Sequence, residues 1–175
     1  LYAAGQRVAF LCPGNYGADF ARETLELDLE RAVKCSNYIG EAFDHAVVCG
    51  YPEILLVGHA GKLVKLAAGV MNTHSSVADA RQEIFTAHAA LCGAGRGTLE
   101  LLMQAVSVDA CIELLDREGV RERVMARIQD EMEKRIARRL KGRAAAEFIM
   151  FTTKYGVLAQ SAGAVRLCEK LRKNL

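Results

Sequence analysis

The sequence lacks a strong excess of charge of either sign, a long apolar run and paired cysteines. With 23 basic and 21 acidic residues its net charge is only +2, so no overall electrostatic field marks it as a nucleic-acid or membrane binder. Its unbroken apolar runs, such as Ile54–Val57, fall far short of the roughly 20 residues of a transmembrane helix. Leu1–Gln6 lacks the charged and apolar regions of a signal peptide, so we expect no such peptide there.

No two of the six cysteines form the C-x-x-C pair that is typical of redox and metal sites. Most lie within apolar stretches, and we expect reduced, buried side chains in a cytoplasmic protein. His88 and Cys92 are four residues apart on a predicted helix, but no second pair at a metal-binding spacing accompanies them. We therefore predict no metal bound by the protein itself. The cysteines are Cys12, Cys35, Cys49, Cys92, Cys111 and Cys168.

What the sequence does contain is enough apolar material for a folded domain, with 51% hydrophobic and 25% charged residues. A chain of 175 residues suits a single α/β domain over its whole length, without a disulfide or metal to stabilise it. The first half alternates short β-favouring runs with segments of helical spacing, as in right-handed parallel β-α-β units. The predicted strands are Arg7–Cys12, Ala32–Cys35 and Glu53–Val57, followed in turn by predicted helices Ala18–Leu27, Asn37–Cys49 and Lys62–Ala68.

The second half is predominantly helical and ends with a hairpin and a last helix. Its predicted elements are helices Ser76–Leu91, Thr98–Arg117 and Val120–Lys141, strands Glu147–Thr153 and Val157–Gln160, and helix Ala162–Lys173. In the third of these helices apolar residues recur every four positions and form an amphipathic seam. The whole pattern predicts an α/β fold: a mostly parallel sheet with flanking helices, a helical middle segment and a late antiparallel hairpin.

Three polar loops follow the predicted parallel strands. They are Pro13–Gly17, Cys35–Asn37 and Gly58–Lys62. In an open parallel sheet such loops emerge at one edge, the carboxyl ends of the strands, where ligands bind. Because each loop precedes a helix, we expect free backbone N–H groups and the positive ends of helix dipoles to face a shared crevice.

The run Gly58–Leu63 resembles a phosphate-binding P-loop only superficially. A Walker A motif requires a glycine at the position of Leu56 and a serine or threonine at that of Leu63. Since the hydroxyl that binds Mg²⁺ is missing, we expect no nucleoside triphosphate hydrolysis. Two interpretations stay open: a glycine-lined turn for a small cofactor or an anionic group, and a tight turn with only a structural role.

Two lysines and two histidines near these loops are candidates for chemistry. Lys62 and Lys65 lie at a helix start, where a cation opposes the helix dipole, so they either contact ligand carboxylates or are simply solvated. His59 and His74 lie in polar segments and suit proton handling better than the other two histidines. Asn72–Ser75 brings four hydrogen-bonding side chains into one turn, as a polar wall or as turn chemistry.

The segment Arg117–Arg143 holds ten basic and five acidic residues. The acids are interspersed at helical spacing and no aromatic residue lies among them, which favours a solvated amphipathic helix, at a partner surface or alone. An RNA-contacting helix is an alternative, although we expect no nucleic-acid partner.

Four stretches together resemble one protein family. They are Leu11–Gly17, Val33–Glu41, Leu55–Ala68 and Met71–Arg81. In this order they are similar to the CbiD family, the cobalt-precorrin-5B methyltransferases of the oxygen-independent cobalamin pathway, with similarity from about Arg7 to Leu171. The resemblance implies transfer of a methyl group from S-adenosylmethionine to a ring carbon of a cobalt-containing corrinoid precursor. Members carry a further N-terminal portion, so the resemblance also implies that this chain is a C-terminal part.

The resemblance also suggests roles for residues of the polar loops. For such a reaction we expect His59 or His74 to act as a proton acceptor or an orienting group, and Lys62, Lys65 and Arg81 to contact the carboxylate arms of the substrate. The residues expected to bind the methyl donor are Gly14, Asn15, Gly17, Gly58 and Gly61, and those expected to bind the substrate include Ser36, Asn37, Asn72 and Thr73. Cobalt would belong to the substrate, no membrane partner is expected, and the oligomeric state is left open. The alternative is a non-catalytic corrinoid- or cofactor-binding domain.

Overall fold

Five β-strands form one sheet in the computed structural model, which describes residues 1–173 apart from the side chain of Ala4. The strands are β1 (Val8–Cys12), β2 (Ala32–Lys34), β3 (Glu53–His59), β4 (Ala145–Thr152) and β5 (Gly156–Gln160). They lie in the order β2-β1-β3-β4-β5, with the first four parallel and β5 antiparallel to β4. The predicted α/β class, the mostly parallel sheet and the late hairpin are therefore confirmed.

Helices cover both faces of this sheet. They are α1 (Asn15–Glu23), α2 (Ile39–Val48), α3 (Ala60–Leu63), α4 (Arg81–Leu91), α5 (Arg96–Met103), α6 (Val108–Glu118), α7 (Arg121–Leu140) and α8 (Ala164–Lys173), with short 3₁₀ turns at Tyr2–Ala4, Leu29–Arg31 and Val64–Ala68. No helix among residues 1–173 combines the length and the apolar character that crossing a membrane requires.

The parallel strands are apolar throughout because both of their faces are buried. All five residues of β1 are buried, and alternate residues enter two cores. Leu11 and its neighbour Leu56 point into the larger core, under α2 and α4–α7. Phe10 and Leu55 point into the smaller core, under α1 and α8.

The amphipathic seam predicted for the long basic helix is confirmed. Its members Val120, Val124, Ile128, Met132, Ile136 and Leu140 are all buried. They face the sheet and the shorter helices. Some charged residues between them pair within the helix, as Lys134 does with Asp130, and others pair with neighbouring helices, as Arg139 does with Asp44. The excess of basic residues is thus carried on an exposed helix face.

Two helix predictions and one burial prediction were wrong. The helix expected over Ser76–Leu91 begins only at Arg81, because Ala80 adopts a left-handed conformation (φ 56°) that helix geometry does not allow. The helix expected over Thr98–Arg117 is two helices, since Ser107 is extended and its side chain accepts a hydrogen bond from the N–H of Ala110 to begin α6. Cys49 is exposed rather than buried, because it follows the last turn of α2, whereas the other five cysteines are buried.

Candidate functional site

The site lies at the carboxyl edge of the sheet, where the strand order reverses between β1 and β3. The chain leaves β1 toward β2 on one side and leaves β3 toward β4 on the other, and ligands bind at this position in open α/β sheets. We call the surface formed by the loops at this position the crevice. The turns are in close contact: a Cβ atom added at Gly58 would lie 2.9 Å from Cγ of Pro13. The structure therefore brings the first and third polar loops together.

A glycine lets α1 approach β3 at this crevice. A Cβ atom added at Gly17 would lie 2.8 Å from the carbonyl oxygen of Val57, closer than real Cβ contacts allow. The preceding Tyr16 is 71% exposed, and its ring centroid lies 5.9 Å from that of His59. Gly14, Asn15 and Gly17 thus lie beside the turn that contains Gly58 and Gly61.

His59 caps α3, and this fixes its neutral tautomer. Its Nδ1 accepts a hydrogen bond from the backbone N–H of Gly61 at 3.1 Å, so the proton of the neutral imidazole resides on Nε2. Burial lowers the pKa of this half-buried ring, while the charge of Asp109 acts in the opposite direction. At neutral pH His59 therefore offers an N–H donor at Nε2. Such a group can orient a ligand by donating a hydrogen bond, but it has no free nitrogen to accept a proton.

Lys62 spans the crevice from the β3 side to the β2 side. Its Nζ donates a hydrogen bond to the carbonyl oxygen of Ser36 at 3.2 Å, and a Cβ atom at Gly14 would lie 3.3 Å from the same Nζ. Burial lowers its pKa, although the nearby Cys35 acts in the other direction. Since an ammonium group has three protons, this side chain retains donors for a ligand.

Lys65 has a different environment from Lys62. Its side chain is 3% exposed, and its Nζ donates hydrogen bonds to the carbonyl oxygens of Thr73 (3.2 Å) and Ala78 (2.9 Å). The Asp79 carboxylate lies 3.7 Å away. The structure thus places this ammonium group against backbone carbonyls and one carboxylate, where it holds residues 72–79 against the 3₁₀ turn after α3.

Residues 72–79 form one wall of the crevice together with the loop after β2. The backbone N–H of Thr73 donates to the carbonyl oxygen of Asn37 at 2.9 Å, and Asn72 forms a β-bridge with Tyr38. His74 is exposed at the outer end of this wall, where its Nδ1 lies 2.6 Å from Oγ of Ser76. No contact among the described residues joins His74 to His59.

Arg81 lies at the same wall, but its charge is already compensated. Its guanidinium group binds both carboxylate oxygens of Asp79, one of them at 2.7 Å. The hydrogen bond from Arg81 lowers the pKa of Asp79. Of the three cations expected to contact substrate carboxylates, only Lys62 has no carboxylate partner among the described residues.

The structure adds a fourth loop to the site, one that the sequence does not predict there. β4 runs parallel to β3, with His59 opposite Phe151, so the turn that follows β4 reaches the same edge. In this turn Lys154 lies 3.8 Å from Glu113 of α6. Near the start of α6, Asp109 has a buried Oδ1 atom without a hydrogen-bond partner among the described residues.

The signal for this fourth loop was present in the sequence. The spacing of Glu147–Thr153 predicts a strand of the hairpin, but its parallel pairing with β3, which brings its end to the crevice, depends on tertiary structure.

A concave region with a volume of about 800 Å³ lies elsewhere, along the end of α6, the first half of α7 and β5. It includes none of the residues that follow β1, β2 or β3. Among residues 1–173 no three His, Cys, Asp or Glu side chains are arranged to hold a metal ion.

The chain is similar to one family model and to several known proteins. A family model described as CbiD, C-terminal domain, matches residues 72–162. The cobalt-precorrin-5B C(1)-methyltransferase of Ruminiclostridium cellulolyticum is 43% identical over 166 residues, which cover 92% of this chain and 43% of that protein. The proteins of the same name from Alkaliphilus metalliredigens and Klebsiella pneumoniae are 36% and 39% identical, over 91% and 79% of this chain and 42% and 35% of their own lengths.

The chain therefore spans less than half the length of these relatives. No solved structure matches it.

Proposed function

The chain belongs to the CbiD family, and from this membership we propose that it is the C-terminal part of a cobalt-precorrin-5B C(1)-methyltransferase. The reaction transfers a methyl group from S-adenosylmethionine to a ring carbon of a cobalt-containing corrinoid precursor. Support comes from the names of the relatives and from the match to a family model of a C-terminal domain. The free cysteines of the described residues fit a reducing compartment, so we assign the reaction to the cytoplasm.

The observation that carries the proposal is the contact between the two glycine turns at the switch point between β1 and β3. Gly14 provides no side-chain cap for α1, so the first N–H groups of that helix are free to bind a ligand. The Cβ-free surfaces of Gly14 and Gly17 let a small molecule approach the backbone closely. Both glycines and Asn15 therefore belong to the proposed methyl-donor and substrate crevice, together with Gly58 and Gly61.

The substrate is a macrocycle with many carboxylate arms, and the proposed contacts follow from its charge. Lys62 is the cation that binds one of these arms, by a charge-assisted hydrogen bond. Ser36, Asn37, Asn72 and Thr73 form the polar wall beside it. Arg81 acts on this wall through Asp79, and Lys65 keeps residues 72–79 in position.

The reaction itself is a displacement at the methyl carbon. S-Adenosylmethionine supplies an activated methyl group, whose bond to sulfur breaks as the ring carbon donates an electron pair, so that sulfur leaves as a neutral thioether. The task of the protein is then to align the two reactants, which contributes up to about 7–11 kcal/mol to lowering a barrier. His59 orients a ligand acceptor through its Nε2–H, and His74 contacts the outer part of the substrate.

The test is methyl transfer by the full-length protein, with a labelled methyl donor and cobalt-precorrin-5B. Because Lys62 lies in the crevice and a charge-assisted hydrogen bond contributes about 1.5–3 kcal/mol, we expect Lys62→Met to lower kcat/KM by about tenfold or more. Lys173→Met, which removes an exposed lysine of α8, is the matched control and should leave kcat/KM unchanged.

Two outcomes would count against the proposal. Wild-type full-length protein that binds neither S-adenosylmethionine nor the corrinoid would overturn it. Tight corrinoid binding without any methyl transfer would instead support a non-catalytic binding domain.

A further inference from the structure

Two exposed aromatic side chains follow neighbouring strands at the carboxyl edge of the sheet. The chain has six phenylalanines, five tyrosines and no tryptophan, and among these residues only Tyr16 and Tyr38 are exposed, by 71% and 56%. Tyr16 lies in the first turn of α1, after β1, and Tyr38 lies directly before α2, after β2. Because burying an aromatic ring stabilises a fold, two rings left in solvent at one edge of a sheet indicate a surface for a ligand.

Neither ring supports its own helix through a side-chain hydrogen bond. Tyr38 is the N-cap residue of α2, but its side chain accepts no capping hydrogen bond. The Tyr16 ring has one aromatic neighbour, His59, whose ring packs edge-on against the buried Phe151 with centroids 5.6 Å apart. The Tyr38 ring has no aromatic neighbour in the part of the chain that the structure describes. Both rings are therefore open to a ligand, and His59 supports that of Tyr16.

The Lys62 ammonium group connects the two turns that carry these tyrosines. Its Nζ donates a hydrogen bond to the carbonyl oxygen of Ser36, two residues before Tyr38. The same Nζ lies 3.3 Å from the position of a Cβ atom added at Gly14, two residues before Tyr16. A cation without a carboxylate partner among residues 1–173 therefore lies between two turns that each present an exposed aromatic ring.

This arrangement suits the corrinoid better than the methyl donor. The corrinoid is a wide macrocycle with an apolar ring system and peripheral carboxylate arms, so it can cover two aromatic rings while one arm reaches the ammonium group between them. The adenine of S-adenosylmethionine is a single small planar group, which can cover one of the rings. The sulfonium and ammonium groups of the donor are repelled by Lys62, whereas the carboxylates of the corrinoid are attracted.

We propose that Tyr16 and Tyr38 bind the macrocycle of the corrinoid on either side of Lys62, which binds one of its carboxylate arms. This inference rests on the proposed function and goes beyond it by assigning the apolar part of the substrate to two named rings. Because the Tyr16 ring lies 5.9 Å from that of His59, a macrocycle on Tyr16 lies beside the turn after β3, whose glycines belong to the proposed crevice.

The test measures binding of two probes to the full-length protein by calorimetry. Cobyrinic acid is a stable cobalt corrinoid with free carboxylate arms, and S-adenosylhomocysteine represents the methyl donor. We expect Tyr16→Ala and Tyr38→Ala each to weaken binding of cobyrinic acid by about fivefold or more, the scale of one aromatic contact. Binding of S-adenosylhomocysteine should change by less than about twofold, because glycines and backbone N–H groups make the proposed donor contacts.

Two kinds of control accompany these variants. Tyr16→Phe and Tyr38→Phe keep the rings and remove only the hydroxyl groups, so they should bind cobyrinic acid as the wild type does. Val48→Ala truncates an apolar side chain that is 79% exposed at the other end of α2, and it should bind both probes as the wild type does. Thermal unfolding should show that all of the variants are folded.

Loss of corrinoid affinity in both alanine variants, with both phenylalanine variants unaffected, supports the inference. Three results overturn it: an unchanged corrinoid affinity in either alanine variant, a similar loss in the phenylalanine variants, or a comparable loss of affinity for S-adenosylhomocysteine. Because the wild type would still bind the corrinoid in those cases, the proposed function would survive. A wild type that binds neither donor nor corrinoid overturns both.

Discussion

At the scale of single residues, Lys62 and Lys65 show how neighbouring residues of one type acquire different roles. Both begin a helical segment, and the sequence offers the same two interpretations for each. The difference arises from residues far along the chain: the carbonyl groups of Thr73 and Ala78 surround Lys65, whereas Lys62 meets only the carbonyl of Ser36. The buried ammonium group is consequently structural, and the half-exposed one is available to a ligand.

His59 provides a prediction at this scale. Burial lowers its pKa below the value of 6.5 that we take for the unfolded chain, so the unfolded state binds a proton more readily. The stability contributed by the neutral ring is complete above about pH 6.5 and is lost as the pH falls through the folded-state pKa. His59→Asn keeps an acceptor for the Gly61 N–H and removes this titration, so its stability should fall less than that of the wild type between pH 7.5 and pH 5.

The measurement is urea unfolding at the two pH values. His88, whose pKa burial also lowers, leaves a residual pH dependence in both proteins. His59→Ala is the control for the cap: relative to His59→Asn it should lose about 1 kcal/mol at both pH values. The same loss of stability on acidification in wild type and His59→Asn would contradict the prediction.

At the scale of elements, the crevice depends on how closely α1 packs against β3. Gly17 permits this contact, and the sequence shows only that a glycine is present, without indicating what lies opposite. Element boundaries were less predictable. Ser107, two residues before Asp109, is a helix N-cap signal that would have divided the predicted helix at 98–117. No local signal predicts the left-handed conformation of Ala80, because alanine normally favours the helix.

Paired glycine substitutions test the contact between α1 and β3. Gly17→Ala adds a Cβ atom 2.8 Å from the carbonyl oxygen of Val57, so we expect a loss of about 1–3 kcal/mol in the free energy of unfolding, despite the higher helix propensity of alanine. Gly97→Ala, in α5, meets no atom within 4 Å and should gain about 0.5 kcal/mol. Denaturant unfolding of both variants measures this, and equal changes would refute the packing argument.

At the scale of the whole molecule, the order β2-β1-β3-β4-β5 is what makes one crevice out of four separate loops. Parallel pairing brings the ends of β1, β2, β3 and β4 to the same edge, and the strand order reverses between β1 and β3, the position at which open α/β sheets bind ligands. Helix α6 contacts the turn after β4 through the ion pair of Glu113 with Lys154. Its position could not be predicted, because nothing local in the sequence links α6 to a strand.

Hydrogen exchange of the full-length protein tests this arrangement. Saturation with S-adenosylhomocysteine at about 100 times its Kd adds roughly 2.7 kcal/mol of stability. We expect amide exchange to slow in residues 13–17 and 58–62 together, since both border the crevice. Residues 50–52, at the opposite edge, are the internal control. Protection centred there, with residues 13–17 and 58–62 unchanged, would show that the ligand binds elsewhere.

The sequence by itself determined the alternation of strands and helices, the amphipathic face of α7 and the resemblance that led to the family, because all three are recorded in local spacing and local identity. Tertiary structure alone decided which loops meet and which lysine lacks a carboxylate partner among the described residues. These features depend on contacts between residues tens of positions apart, such as Lys62 with Ser36 and Glu113 with Lys154. Such contacts exist only once the parallel sheet has brought the ends of its strands to a common edge.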